Sequence, residues 1–178
     1  MNDFYQLFDP TSIGYDTKSI LSLCEYYTEN SLWDDIYPGV KLNSKRYSED
    51  FLNTDAKMII ESFHPSLNIT HHQAQLFQMT PGQRGVLHKD TDRMAGILFP
   101  IFPIGKDFAP IMFFDENKKL VNELNYSNNA MILNVLKYHN VEYTNTIRVN
   151  FQIDFHIPYN EVIKLYNTGK LFKEQYNV

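Results

Sequence analysis

A chain of 178 residues fits one folded domain, and 43% hydrophobic residues can bury a sizeable core, which argues against intrinsic disorder. The formal net charge of −5, with only short basic clusters such as Lys45-Arg46 and Lys118-Lys119, makes nucleic acid an unexpected main partner. The one cysteine, Cys24, excludes an intrachain disulfide and a cysteine metal cluster. Residues 1–10 are broken by acidic and polar side chains and do not read as a secretory leader. No apolar run approaches the roughly 20 residues of a membrane span, so a soluble cytoplasmic protein without a membrane partner is expected.

The expected organisation is a single domain over 1–178: a helical part at 1–66, a β core at about 68–157 and a C-terminal helix at about 160–175. Over 16–32, Ile20, Leu23, Cys24 and Tyr27 recur at helical spacing, and Asp16 can cap the start. A second helix is expected over 48–63, with Phe51, Leu52, Ile59, Ile60 and Phe63 on its buried side and Pro65 ending it. Strand patterns follow. Residues 68–79 form a long unbroken run, closed by the turn Thr80-Pro81-Gly82. Residues 86–90 read as a short strand, and 93–104 as an apolar run whose two prolines suggest bends or a sheet edge. Further strands are expected at 109–114, 130–136, 138–143 and 147–157. The polar, Asn-rich stretch 115–129 reads as a loop, with a lid as the functional alternative. A closing helix over 160–175 is interrupted by Gly169. Many short strands at close spacing, with helices at both ends, give a mainly β fold with flanking helices.

The run 147–157 alternates. Val149, Phe151, Ile153 and Phe155 share one face, and Arg148, Asn150, Gln152, Asp154 and His156 share the other. On alternation alone the plainer reading turns the polar face to water, and the other turns it into a wet cavity. Among the aromatic residues, Phe99, Phe102, Phe108, Phe113 and Phe114 are expected in the core, and so is Tyr138.

His88-Lys89-Asp90 is the chemical centre of the sequence. Residues two apart on a strand point the same way, so His88 and Asp90 can reach one ion. A His-x-Asp pair alone is common, and a hydrogen-bonded structural histidine is the plain alternative. Three features add to it. A turn precedes the pair, His139 follows 51 residues after His88, and Arg148 lies 9 residues beyond His139 at the head of the alternating strand. Two imidazoles and a carboxylate on one face of an octahedral ion leave three positions open, which suits non-haem iron(II). An arginine fork suits a carboxylate lying away from the ion.

This set resembles the 2-oxoglutarate and iron(II)-dependent oxygenase superfamily, whose pattern of His-x-Asp, a distal His and an Arg about ten residues on reads here as His88-Lys89-Asp90, His139 and Arg148. The stretches Gln75-Leu76-Phe77-Gln78-Met79-Thr80-Pro81-Gly82 and His139-Asn140-Val141 resemble members related to the prolyl and aspartyl/asparaginyl hydroxylases. The resemblance covers roughly 73–155. It implies a double-stranded β-helix (jelly roll, cupin-like), Fe(II) held by His88, Asp90 and His139, and 2-oxoglutarate as cosubstrate with its far carboxylate on Arg148. Asn150, Gln75 and Arg93 are the further candidates for cosubstrate contact, with Gln78 for cosubstrate or substrate. Many relatives place Ser or Thr where Asn150 stands, and Arg93 has a salt bridge as its plainer role. The implied reaction is hydroxylation by O2 of an amino acid, a peptide or protein residue, or a small metabolite. A non-catalytic cupin-like binding module, and a metal-dependent cupin enzyme that does not use 2-oxoglutarate, remain as alternatives. The other histidines read as structural: His71-His72 as an adjacent pair pointing opposite ways, His64 as a helix-end cap, and His156 as structural or at the pocket edge.

Overall fold

The structure, a computed structural model, describes residues 3–35, 42–102, 110–125 and 128–176. Helix α1, Thr17–Glu29, begins where expected, with the Asp16 side chain accepting from Lys18 N, and it buries Ile20, Cys24 and Tyr27. The second expected helix is broken. A 3-10 turn, Glu49–Asn53, is capped by Ser48, and helix α2, Ala56–Ser62, starts only after an extended Thr54. The Thr54 hydroxyl donates to Phe51 O and accepts from Ala56 N, so its side chain competes with the helical ladder at the break. The break also turns Leu52 outward, to 38% exposure, while Phe51, Ile59, Ile60 and Phe63 stay buried.

Ten strands are described: β1 Tyr5–Phe8, β2 Asp34–Asp35, β3 Asn43–Arg46, β4 Ala74–Met79, β5 Ala95–Phe102, β6 Ile111–Phe114, β7 Leu120–Leu124, β8 Ala130–Leu133, β9 Tyr138–Val141 and β10 Arg148–Phe155. They form two antiparallel sheets, a large one in the order β1-β8-β5-β10-β4-β3-β2 and a small one in the order β7-β6-β9. From β4 onward the chain alternates between the sheets: β4 and β5 in the large, β6 and β7 in the small, β8 in the large, β9 in the small and β10 in the large.

Helix α3, Tyr159–Asn167, ends at Thr168, and Gly169 takes a left-handed φ of 64°. It is therefore shorter than expected and is followed by a separate 3-10 turn, Glu174–Tyr176. Helices α1, α2 and α3 share one hydrophobic cluster with the large sheet. Ile20, Ile59, Val162 and Ile163 meet Leu76, Phe99, Phe151 and Ile153 there. A second cluster contains Leu98, Met131 and Leu133 of the large sheet and Ile111, Phe113 and Leu124 of the small one.

Several expected strands are shorter or differently placed. At 68–79 the chain first makes a 3-10 turn, His71–Gln73, closed by a Thr70/Gln73 capping box, so β4 starts only at Ala74. Strand β5 runs inside the large sheet between β10 and β8, not at an edge. Its Pro100 is accommodated because the register with β10 shifts there, between Val149 and Asn150, and the missing N–H falls at this bulge. Pro103 and Phe108 lie outside the described residues. In 115–129, expected as a loop or lid, Leu120–Leu124 instead pairs with β6 as a hairpin. The Asp115 side chain accepts from Lys119 N, and Lys118 takes a left-handed φ of 61° in the turn. Strands β1, β2 and β3 were not expected. They are two to four residues long, β2 and β3 being wholly polar, and too short to show a period. Among the described residues no helix is long and apolar enough to cross a membrane.

Candidate metal centre

The segment 85–90 is not a regular strand, contrary to expectation. It runs beside β9 on scattered backbone bonds: Gly85 N to Val141 O at 2.7 Å, His88 N to His139 O at 3.0 Å, His139 N to His88 O at 2.8 Å, and Asp90 N to Val135 O at 2.9 Å. The approach is tight. A Cβ on Gly85 would stand 2.8 Å from Val141 N, so glycine is required at this crossing. The paired backbones bring the two imidazoles together, with ring centroids 4.4 Å apart.

One ligand atom from each of His88, Asp90 and His139 lies within 4.8 Å of the others, a spacing that could hold a metal ion. The two histidines are oriented in the same way. His88 Nδ1 is 2.7 Å from Val86 O, and His139 Nδ1 is 2.8 Å from Lys137 O. A carbonyl can only accept, so each Nδ1 carries a proton and each Nε2 faces the centre, where the neutral imidazole would offer its lone pair to a metal and a protonated His88 donates to Asp90. His88 Nε2 stands 3.5 Å from Asp90 Oδ1. Burial pushes the Asp90 carboxyl up, but the His88 hydrogen bond and the Arg93 charge outweigh it and hold the pKa at about 2. Burial, with the neighbouring His88 charge, pulls His139 down to about 4. The hydrogen bond to Asp90 outweighs burial at His88 and raises its pKa.

Behind Asp90 lies a buried polar network. Arg93 Nε donates to Asp90 Oδ2 at 2.6 Å, and its Nη1 donates to Asp154 Oδ1. Asp154 also accepts from Gln75 Nε2, and from Gln152 Nε2 at 2.6 Å. Burial raises the Asp154 pKa against the opposing charge of Arg93. Arg93 thus lines the cavity with its guanidinium engaged by two carboxylates.

The centre opens into a cavity of about 550 Å³, the size of a small-molecule site. The polar face of β10 forms part of its wall, through Arg148, Asn150 and Gln152, while Val149, Phe151 and Ile153 are buried in the core with the helices. Arg148 is 1% exposed, and burial pulls its guanidinium down to about 9. Gln75, Phe77 and Met79 line the cavity from β4. Gln78 is on the other face of that strand and accepts from Asn43 Nδ2.

His71 and His72 lie in a 3-10 turn instead of a strand, so they do not point opposite ways; their tilted rings have centroids 4.0 Å apart, outside the centre. His64 caps the turn after it, its Nδ1 accepting from Ser66 N, and His156 is exposed past the end of β10. Phe99 and Phe113 are buried, but Phe102 is 39% exposed and Phe114 half-buried. Tyr138 is half-buried rather than core, because Lys89 lies over its ring at 4.8 Å. Several cavity residues escaped the sequence reading, Arg46 and Phe77 among them. Arg46 sits in a basic pair that reads as a solvated cluster, and Phe77 lies inside the resembling stretch without a chemical signature.

No family model matches the chain, and no curated protein does. Solved structures do. A prolyl-4-hydroxylase from Pseudomonas putida aligns at 9% identity over 85% of this chain and 91% of its own, with a TM-score of 0.55. A prolyl hydroxylase from Trichoplax adhaerens, solved with a hypoxia inducible factor oxygen degradation domain peptide fragment, aligns at 8% identity over 87% and 84%, with a TM-score of 0.56. An oxidoreductase of the 2OG-Fe(II) oxygenase family from Burkholderia pseudomallei aligns at 9% identity over 84% and 82%, with a TM-score of 0.50. The fold of the chain is therefore that of the 2-oxoglutarate and Fe(II)-dependent oxygenases.

Proposed function

We propose that residues 1–178 act as one oxygenase domain, a 2-oxoglutarate and Fe(II)-dependent dioxygenase that hydroxylates an amino acid, a peptide or protein residue, or a small metabolite. The observation that carries this reading is the meeting of His88, Asp90 and His139 in one cavity with the buried cation Arg148. The alternation of the chain between its two sheets supports the finer assignment of the fold as a double-stranded β-helix.

The donor set fits Fe(II). Two neutral imidazole nitrogens and one ionised carboxylate are the ligands of a facial triad, which leaves room for further ligands. His88 and His139 present Nε2, and Asp90 presents Oδ1 while its Oδ2 is held by Arg93. Iron(II) with 2-oxoglutarate supplies the electrons that O2 activation needs and that side chains cannot, the cosubstrate leaving as succinate and CO2. Arg148 binds the far carboxylate of 2-oxoglutarate. A cation held in a dry cavity wall gains most from an anion, and its fork can take both oxygens. Asn150 and Gln75 orient the cosubstrate by amide hydrogen bonds. Phe77, Leu98 and Ile111 keep that part of the cavity apolar. The peptide in the Trichoplax structure supports a peptide among the substrate classes.

The test is anaerobic titration of 2-oxoglutarate into the Fe(II) protein, followed by its metal-to-ligand absorption band. The unmodified protein should show the band, and Asp90→Ala should lose both iron and band. Arg148→Ala should keep iron and weaken 2-oxoglutarate by about 2–4 kcal/mol, as for truncating a buried charge pair, with Arg148→Lys recovering part. Absence of the band from the unmodified protein would return the chain to a cupin-like metal-binding role.

A further inference from the structure

The cavity holds a third arginine to which nothing above gives a task. Arg46 projects from β3 and lines the cavity. Its Nε is shielded from solvent and has no hydrogen-bond partner, and no carboxylate among the described residues pairs with its guanidinium. Arg93, by contrast, is shared between Asp90 and Asp154.

Strand register fixes where Arg46 stands. Arg46 pairs with Gln75, and Gln75 pairs with Gln152, so the three form one row across the large sheet. Gln75 and Gln152 both donate to Asp154, which Arg93 ties to the metal-centre carboxylate Asp90. The Arg46 row is therefore linked through this network to the metal-centre carboxylate. Arg148 is four residues farther along β10 and two strands across, which separates the two backbones by roughly 16 Å at ordinary strand rise and spacing. The two arginines consequently serve different parts of the cavity.

Charge balance points the same way. Among the buried and half-buried charges, Arg46, Arg93 and Arg148 face Asp90 and Asp154, one positive charge in excess, while Asp92 lines the cavity as an exposed side chain. Lys89 pairs with the exposed Glu116 at 3.2 Å, at the rim. A divalent iron and a dianionic 2-oxoglutarate cancel each other, so the surplus remains after both are bound. A cation half-buried in a cavity, without a carboxylate of its own, is matched by an anion from outside.

We infer that Arg46 is a substrate-binding residue that takes a carboxylate of the molecule to be hydroxylated, which narrows the substrate class to carboxylate-bearing compounds. The inference rests on the oxygenase reading. The carboxylate can belong to a free amino acid or to the C-terminus of a short peptide, since both present the same group to the fork.

The experiment measures succinate formation by the Fe(II) protein with 2-oxoglutarate and O2. One arm offers the free L-amino acids and their primary carboxamides; the other offers short peptides with free or amidated C-termini. Acids should stimulate turnover and their amides should not, and the productive arm identifies the source of the carboxylate. Arg46→Gln should raise KM for the best acid by about 30-fold or more, the factor for losing a buried charge-assisted contact. Its kcat should change less, and Arg46→Lys should recover part of the loss. The affinity for 2-oxoglutarate, read anaerobically by the absorption band, should stay as in the unmodified protein. Stimulation by amides as strong as by acids, no stimulation by any acid, or an unchanged KM in Arg46→Gln would overturn the inference. If the band forms normally while one of these occurs, only the role of Arg46 falls. If the unmodified protein shows no band, the oxygenase reading falls first and takes the inference with it.

Discussion

Arg93 joins two carboxylates that would otherwise repel across a dry site, and its removal should separate two of its effects. Arg93→Met leaves Asp90 and Asp154 buried without a cation. Breaking such a pair costs about 3–5 kcal/mol of stability. Loss of a partner that orients a metal ligand weakens metal by roughly 10–100-fold. Adding Asp154→Asn removes one of the two stranded charges and should restore part of the stability, but not the iron affinity, because Asp90 stays unoriented. Urea melts of the metal-free proteins and iron titrations read the two quantities separately. Iron affinity that recovers together with stability in the double variant would mean that Arg93 acts only through the fold.

The four residues of the main motif were readable because each carries rare chemistry at a telling spacing. The support around them was not. Asp154 was visible only as one polar residue on an alternating face, and its partner Arg93 lies 61 positions away in sequence. Arg46 was hidden because its row on the sheet depends on β3 pairing with β4, and β3 is a four-residue polar strand without a pattern of its own.

At the scale of elements, β10 decides both core and cavity. It pairs with β4 on one side and β5 on the other, and all eight of its residues are buried. Phe151 is fully buried on its apolar face and meets Phe51 edge-on at 5.3 Å. Phe151→Ala should cost about 3–5 kcal/mol in chemical denaturation, and a loss below about 1 kcal/mol would place the strand wrongly. The alternation in 147–157 was plain in sequence, yet alternation alone favoured water over a cavity for its polar face, and only the placing of the second sheet decided it. The helices were legible in type and less so in extent. Thr54 and Gly169 end helical runs through local hydrogen bonding and a left-handed φ, effects that hydrophobic spacing does not register.

For the whole molecule, the buried neutral acids set the alkaline limit. Burial pushes the Cys24 thiol up to about 12 and Tyr159 to about 12, and raises Tyr15 and Tyr27 as well. Each folded pKa lies above its unfolded value, so this stability is complete below pH 9, where the unfolded thiol begins to ionise. It declines as pH rises toward the folded values. Cys24 alone should give a slope of about 1.4 kcal/mol per pH unit above pH 9, steepening once the unfolded tyrosines ionise near pH 10. Urea midpoints at pH 8, 9.5 and 11 check this, and Cys24→Ala should flatten the first part of the decline. An equal midpoint at pH 8 and 9.5 in the unmodified protein would show that the thiol is not buried as described.

The close crossing at Gly85 and the sparse bonds from Gly85 and His88 to β9 and from Asp90 to Val135 have a dynamic consequence. Segment 85–90 contributes two of the three candidate ligands but hangs on β9 and on Val135 by isolated backbone bonds, whereas β10 is locked by full ladders on both sides. Openings of such a segment cost much less than global unfolding. A metal held by the triad would then be able to leave by the peeling of one short stretch while both sheets persist, so that metal exchange and unfolding would be separate events with separate rates. Hydrogen exchange on the metal-free protein should find the amides of His88 and Asp90 opening far more often than that of Phe151, with iron slowing the first two and leaving the third unchanged.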